Sequence, residues 1–317
     1  MKEGTGPAPS ATVRMPGTCG ELVQGMIEGV TFHVTCPVDL FAEVTVSIGQ
    51  ETCLDGRRNW SKAQKALVHT LGFLGKPRLR LGLAIRSQLP RGKGMGSSTA
   101  DVAGTIVATT MLLGQPLDLR AVARLALSVE PTDGSLFPGI VCFDHRAGRI
   151  LDPLGEPPPL AILVLDFGGR VDTVAFNRVD RRSLLAPMEG QFREALAMVR
   201  AGLASRNPWL LGKAASLSAE CNQRILPKPS VPAVRREAQQ VGALGVCVAH
   251  SGTAVGLLLE AGRPDLARLR DRLVRRLPNL KRIWLTSLVS GGVRAIRHPI
   301  LPQRREAPRA QGARATR

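Results

Sequence analysis

Apolar and polar positions alternate in two stretches of the first hundred residues. Over residues 41–48, Val44, Val46 and Ile48 fall on one side and Glu43, Thr45 and Ser47 on the other. Over residues 79–86, Leu79, Leu81, Leu83 and Ile85 oppose Arg80, Gly82, Ala84 and Arg86. A period of two predicts half-buried strands. A further short strand is expected over residues 12–15, leading into the glycine-rich segment 16–25. Between the alternating runs the period becomes helical: Ala63, Leu67, Leu71 and Leu74 share a face, Ser61 stands where a cap would, and Gly75 and Pro77 close the element.

After the second strand a turn-rich segment opens into an apolar run, residues 100–113, in which only Asp101 is charged, so a buried helix is expected there. Asp118 is placed to cap another helix over 119–129, with Leu119, Val122, Ala126 and Val129 at helical spacing and Glu130-Pro131 at its end. The EPPP at 156–159 predicts a domain boundary, dividing the chain into residues 1–158 and 159–300. The second part offers an apolar strand over 160–165, amphipathic helices over 188–204 and 207–223, and apolar runs at 241–249 and 254–259 around His250-Ser251-Gly252. A helix over 264–276 and a strand near 283–288 complete it. The predicted class is α+β, with a basic tail at 301–317 expected to be disordered.

A chain of 317 residues suits two domains, and 44% apolar with 21% charged residues is a globular composition. The longest uncharged apolar stretch, 241–259, carries His250, Ser251, Thr253 and four glycines, which argues against a membrane span or membrane partner. MKEGTGPAPSAT at the start has no apolar core of a secretory signal, so a cytoplasmic location is expected. Six cysteines without a CxxC pair predict neither a disulfide framework nor a zinc ribbon. The net charge of +18 is mostly C-terminal, since residues 261–317 hold 15 Lys and Arg against 3 Asp and Glu. Nucleic-acid binding through that region is the reading from another class. Aromatics at 3%, with no Tyr, leave few platforms for bases, and an anionic small molecule such as a nucleotide suits the charge better. Nothing in the sequence fixes the oligomeric state.

The most informative chemistry lies at 90–100. Gly92, Gly94 and Gly96 precede Ser97, Ser98 and a helix, so backbone N–H groups and the helix dipole can meet a phosphate, with Lys93 adding a cation. The segment matches neither GxxxxGK[ST] nor GxGxxG, and alone it also reads as a flexible linker. Residues 130–134, EPTDG, alone read as a helix end and turn. His33, His69, His145, His250 and His298 match no metal-ligand spacing such as HExxH, and no zinc site is predicted. Asp166-Phe-Gly lacks the companion motifs of protein kinases.

PRGKGMGSSTA at 90–100 resembles the Pro-xxx-Gly-Leu-Gly-Ser-Ser-Ala-Ala signature of the GHMP kinases, with Met95 in the Leu position. PGTCGELVQG at 16–25 and HSGTAVGLL at 250–258 resemble that family's N-terminal and C-terminal motifs, in the right order. With SSTAD and EPTDG, the chain is most similar to the L-threonine kinase branch that serves cobalamin biosynthesis, over roughly residues 10–290. The resemblance implies a two-domain fold, an N-terminal domain like domain 2 of ribosomal protein S5 and a ferredoxin-like C-terminal domain, with the active site between them. It implies ATP- and Mg²⁺-dependent phosphorylation of a small-molecule hydroxyl, that of L-threonine in this branch and of homoserine or another alcohol in neighbouring ones.

By this resemblance Pro90, Gly92, Lys93, Gly94, Met95, Gly96, Ser97, Ser98 and Thr99, with Ser251 and Gly252, hold the nucleotide phosphates. Ser98 and Glu130 would hold Mg²⁺, Asp133 is the expected base, and Thr18, Glu21 and Asp133 would face the substrate. Arg170, Asp172 and Thr173, in a segment typical of the branch, are expected near it too. Ala254 departs from the commoner Ser-Gly-x-Gly pattern and predicts a stiffer loop.

Overall fold

The computed structural model describes residues 8–49, 61–171, 176 and 178–297. Two long strands open it. β1 (Ser10–Ile27) turns through Glu28 and Gly29 into β2 (Val30–Ile48). Both turn residues have positive φ, 51° and 73°, as a two-residue hairpin loop matched to strand twist requires. β2 also pairs with β3 (Leu81–Ser87) and with β4 (Ile140–Phe143), which in turn pairs with β5 (Leu151–Gly155).

The second half contributes β6 (Leu160–Asp166), β7 (Gly245–Val248), β8 (Val255–Glu260) and β9 (Arg282–Ser287). All pairings are antiparallel, in the order β5-β4-β2-β1-β7-β8-β6-β9, with β3 beside β2 and β10 (Arg294–Arg297) returning to β1. The halves meet where Glu21 of β1 pairs with Val248 of β7.

Helices α1 (Ser61–Phe73), α2 (Ser97–Leu112) and α3 (Leu119–Leu127) cover the first half. The apolar run of α2 is buried all round, and Asp118 caps α3 by accepting from the Ala121 N–H at 2.8 Å. Helices α4 (Glu189–Ala204) and α5 (Pro208–Asn222) pack on the later part of β1, while α6 (Val231–Gln240) and α7 (Leu266–Arg276) cover the sheet further on. One buried cluster joins Leu22, Val23, Met26, Phe32 and Val34 to Met188, Phe192, Ala195, Val199 and Leu211, so the two halves share a core.

The glycine-rich segment 16–25 is strand and not a loop. Its glycines answer close neighbours: a Cβ on Gly25 would lie 2.4 Å from the Phe192 ring, and one on Gly17 2.1 Å from the Leu89 side chain. β2 likewise begins eleven residues before its alternating part, because residues 32–38 are buried on both faces and the alternation disappears. Helix α1 starts at Ser61 itself, so Ser61 is not its cap. The strands β4, β5 and β10 and helix α6 were not anticipated. The basic tail lies outside the described residues, as do Cys53, Asp172, Thr173 and His298. The five described cysteines are buried and free. Among the described residues no helix is long and apolar enough to cross a membrane.

Candidate active site

Gly92, Gly94 and Gly96 all have positive φ, 71°, 76° and 67°, the left-handed region that only glycine enters without strain. This winds residues 90–96 into successive turns. Gly96 then caps α2 without a side chain, so the first N–H groups of the helix carry no side-chain cap. The loop is held from behind. A Cβ on Gly252 would fall 2.2 Å from the Lys93 carbonyl, and one on Gly94 2.5 Å from Ala249 Cβ, so the phosphate loop and the HSG loop pack backbone against backbone. The Ala254 N–H donates to the Lys93 carbonyl at 3.0 Å and the Thr18 N–H to the Met95 carbonyl at 3.1 Å. Arg91 bonds Asp101 at 3.0 Å, tying loop to helix.

In the first turn of α2 the Ser98 hydroxyl meets Glu130 Oε1, and Lys62 Nζ of α1 reaches Glu130 Oε2 at 2.5 Å and Ser98 Oγ at 3.3 Å. Glu130 is 6% exposed, so its charge needs a cationic partner. Two carboxylate oxygens and a hydroxyl beside an ammonium make a position that attracts cations and offers only oxygen, a donor set that fits Mg²⁺. Lys62 carried no motif and was missed in the sequence. Three residues beyond Glu130, the Asp133 N–H donates to Thr99 Oγ1 at 3.1 Å, and that hydroxyl lies 3.4 Å from Asp133 Oδ2. The Thr132 N–H donates to the His145 carbonyl at 3.0 Å, so the turn is pinned on both sides.

A cleft of about 430 Å³ brings these groups together. It is lined on one side by Gly92, Gly94, Met95, Gly96, Ser97, Ser98, Thr99, Glu130 and Lys62, and on the other by Glu21, His33, Asp133, His145, His250 and Ser251, with Arg170 at its edge. Glu21, 4% exposed, has its carboxyl held well above the usual range, first by burial and then by the negative charge of Asp133. Burial and neighbouring positive groups push His145 and His250 well below the ordinary imidazole range, so both are neutral.

Four expected site residues do not line the cleft. The Lys93 ammonium is committed to Asp166 Oδ1 and the Gly169 carbonyl, both at 2.8 Å, which turns it away from the cleft and gives Asp166 a structural partner. Thr18 is buried beneath Gly96, Gly252 packs on the loop at Lys93 and Gly94, and Pro90 lies outside the lining. Thr99 is turned toward Asp133.

A fold of two sheet halves around a glycine-built anion loop, with acids facing it, defines a small-molecule phosphotransferase. Residues 61–139 match the GHMP kinase N-terminal domain and 199–279 the GHMP kinase C-terminal domain. The chain is 35% identical to the L-threonine kinase of Salmonella typhimurium over 90% of its own length and 95% of that protein's. It is 34% identical to the L-threonine kinase of Citrobacter freundii over 89% of its length and 99% of that one. The crystal structure of homoserine kinase from Cytophaga hutchinsonii superposes with a TM-score of 0.66 at 17% identity, covering 93% of this chain and all of that one. The chain belongs to the GHMP kinase family and has its two-domain fold.

Proposed function

We propose that the cleft transfers the γ-phosphoryl group of ATP to the side-chain hydroxyl of L-threonine, giving ADP and O-phospho-L-threonine. The supporting observation is the placement of Asp133. Its carboxylate is anchored by Thr99, the residue after Ser98, so the proton acceptor and the phosphate loop share one rigid turn of helix. The N–H groups at the start of α2 bind the phosphates and spread the charge that develops on the transferred group. Ser98 and Glu130 would hold Mg²⁺, which when bound neutralises phosphate charge. Asp133 accepts the hydroxyl proton as the oxygen attacks the γ-phosphorus, and the bond to the ADP oxygen breaks with its electron pair leaving on ADP. The Lys62 ammonium, beside Glu130 and Ser98, would add positive charge at the phosphates.

On the acceptor side Glu21 faces the substrate ammonium, whose charge favours the ionised carboxylate that burial disfavours. Similarity to two L-threonine kinases over most of both chains supports threonine as the acceptor. The product is the one the threonine kinase branch delivers to cobalamin assembly. The five described cysteines, free and buried, accord with the reducing cytoplasm as the site of action.

The test is ADP formation by purified protein with MgATP against L-threonine, L-serine, L-homoserine, mevalonate and no acceptor, with the product identified by mass. Threonine-dependent ADP and O-phosphothreonine are expected. Turnover confined to homoserine or another alcohol would overturn the substrate, and no acceptor-dependent turnover by folded protein would overturn the reaction.

A further inference from the structure

L-threonine brings three polar groups to the cleft: an ammonium, a hydroxyl and a carboxylate. Glu21 and Asp133 answer the first two. The same wall has nothing positive for the third, since Glu21 and Asp133 are acids and His145 and His250 are neutral. A carboxylate drawn in without a cationic or donor partner loses its hydration uncompensated.

Three lysine or arginine side chains line the cleft. Lys62 is held by Glu130 and Arg91 by Asp101. The third, Arg170, has no hydrogen bond or ion pair to its guanidinium among the described residues. Other cations nearby point elsewhere. Lys228 stands behind the wall, where its ammonium donates to Asn222 Oδ1 at 2.9 Å, Asn222 Nδ2 donates to Gln24 Oε1 at 2.8 Å, and that oxygen accepts from His250 Nδ1 at 2.7 Å. This chain supports His250 from the rear. Arg146 and Arg181 open on a separate small cavity on the far side of His145 and His250.

The chain after β6 is shaped to bring Arg170 to the cleft. Gly168 and Gly169, at φ 88° and 70°, turn it. Asp166 Oδ1 accepts from the Gly168 N–H at 2.8 Å, and Lys93 Nζ bridges Asp166 Oδ1 and the Gly169 carbonyl. The Lys93 and Asp166 side chains are only 13% and 8% exposed, so the pair is largely withdrawn from water and costly to break. It staples the turn to the phosphate loop. Beyond it the Val171 N–H reaches the Gly92 carbonyl at 3.4 Å, and the Arg170 stem runs over Gly92, where a Cβ would lie 3.3 Å from Arg170 Cγ and 3.4 Å from Cδ.

We propose, on the threonine kinase reading given above, that Arg170 binds the carboxylate of the acceptor amino acid and that Lys93 and Asp166 are the positioning residues that hold it at the cleft edge. The nucleotide phosphates already have the N–H groups of α2 and the Lys62 ammonium, so the carboxylate is the anion left without a partner. A guanidinium meets a carboxylate through two parallel N–H···O bonds, which fix orientation as well as charge and so help to turn the hydroxyl toward Asp133.

The experiment compares L-threonine with L-threoninamide, which keeps the ammonium and the hydroxyl and replaces the carboxylate with a neutral amide. Full-length wild type, Arg170→Ala, Arg170→Lys and Lys93→Met are used, with kcat and the KM values for acceptor and ATP measured separately. Wild type should prefer threonine about 100-fold in kcat/KM, the worth of a paired, charge-assisted contact. Arg170→Ala should lose roughly that factor on threonine, chiefly through KM, and leave the KM for ATP near its wild-type value, so that the preference disappears; Arg170→Lys should recover part of it. Lys93→Met should lower the preference about tenfold in wild type and not at all in the Arg170→Ala background, a coupling that a merely structural role would not show. Equal use of the two acceptors by wild type overturns the proposal without any variant. An Arg170→Ala enzyme that keeps the wild-type preference overturns it too, and a raised KM for ATP with that preference intact gives the arginine to the nucleotide phosphates instead. Those three results leave the threonine kinase reading standing, whereas no phosphorylation of threonine by folded wild type removes that reading and this one together.

Discussion

The two walls of the cleft are built by opposite means. The phosphate wall is backbone: ten consecutive residues, three glycines in the left-handed region and the open end of α2, with few side chains to position. The acceptor wall is side chains: Glu21 from β1, His33 from β2, Asp133 from the turn after α3, His145 after β4 and His250 after β7. A backbone wall depends on chain conformation and close approach, and most side-chain changes beside it do little. A side-chain wall depends on the register of four strands, so one shift of a single residue would scatter it.

The largest expected effect treats the walls alike, since the proposed reaction draws one group from each. Ser98→Ala and Asp133→Ala should each reduce kcat by roughly 10² or more, with circular dichroism unchanged. Near-normal turnover in either variant removes that residue from the chemistry. Gly94→Ala separates the walls. It forces a Cβ toward Ala249 and Gly252 at φ 76°, and should raise the KM for ATP and lower stability by about 1–3 kcal/mol while leaving the KM for threonine near its wild-type value. Equal changes in both KM values would show that the walls are not independent.

The smallest effect is a pH dependence confined to the support of the acceptor wall. Burial holds Lys228 down at about 7. An unfolded lysine keeps its proton up to about 10.4, so between these values the unfolded chain binds more protons than the native one, and stability rises with pH. The slope from this group is at most about 1.4 kcal/mol per pH unit. Urea midpoints of wild type against Lys228→Met should therefore differ most, in favour of the variant, at and below pH 7 and converge as pH rises from about 7 to about 10.4. A difference that stays constant from about pH 7 to about pH 10.4 would rule out a depressed lysine.

Legibility in the sequence follows the same division. The phosphate wall could be read because glycines, serines and a helix start lie side by side, and regular helices such as α2 and α3 declare themselves by period and cap. Lys93 misled, since adjacency to the loop says nothing about the direction of a long side chain, and this one turns to Asp166. The strand through residues 16–25 was hidden because glycines that admit Phe192 and Leu89 look like loop residues. The histidines of the acceptor wall share no local pattern, since 112 and 105 residues separate His33 from His145 and His145 from His250. Only the register of β2 with β4 brings the first two together, and no local pattern encodes it. Lys62 is one polar residue among several on a surface helix, and its role exists only once α1 lies beside Glu130.

β1 pairs with β2, β7 and β10 and carries the apolar side chains that α4 and α5 cover. Fragments cut at the Pro-rich linker would each expose that shared face, the N-terminal piece lacking the helices and the C-terminal piece lacking the strand. Dissection of the enzyme should thus yield aggregating halves that regain solubility when co-expressed.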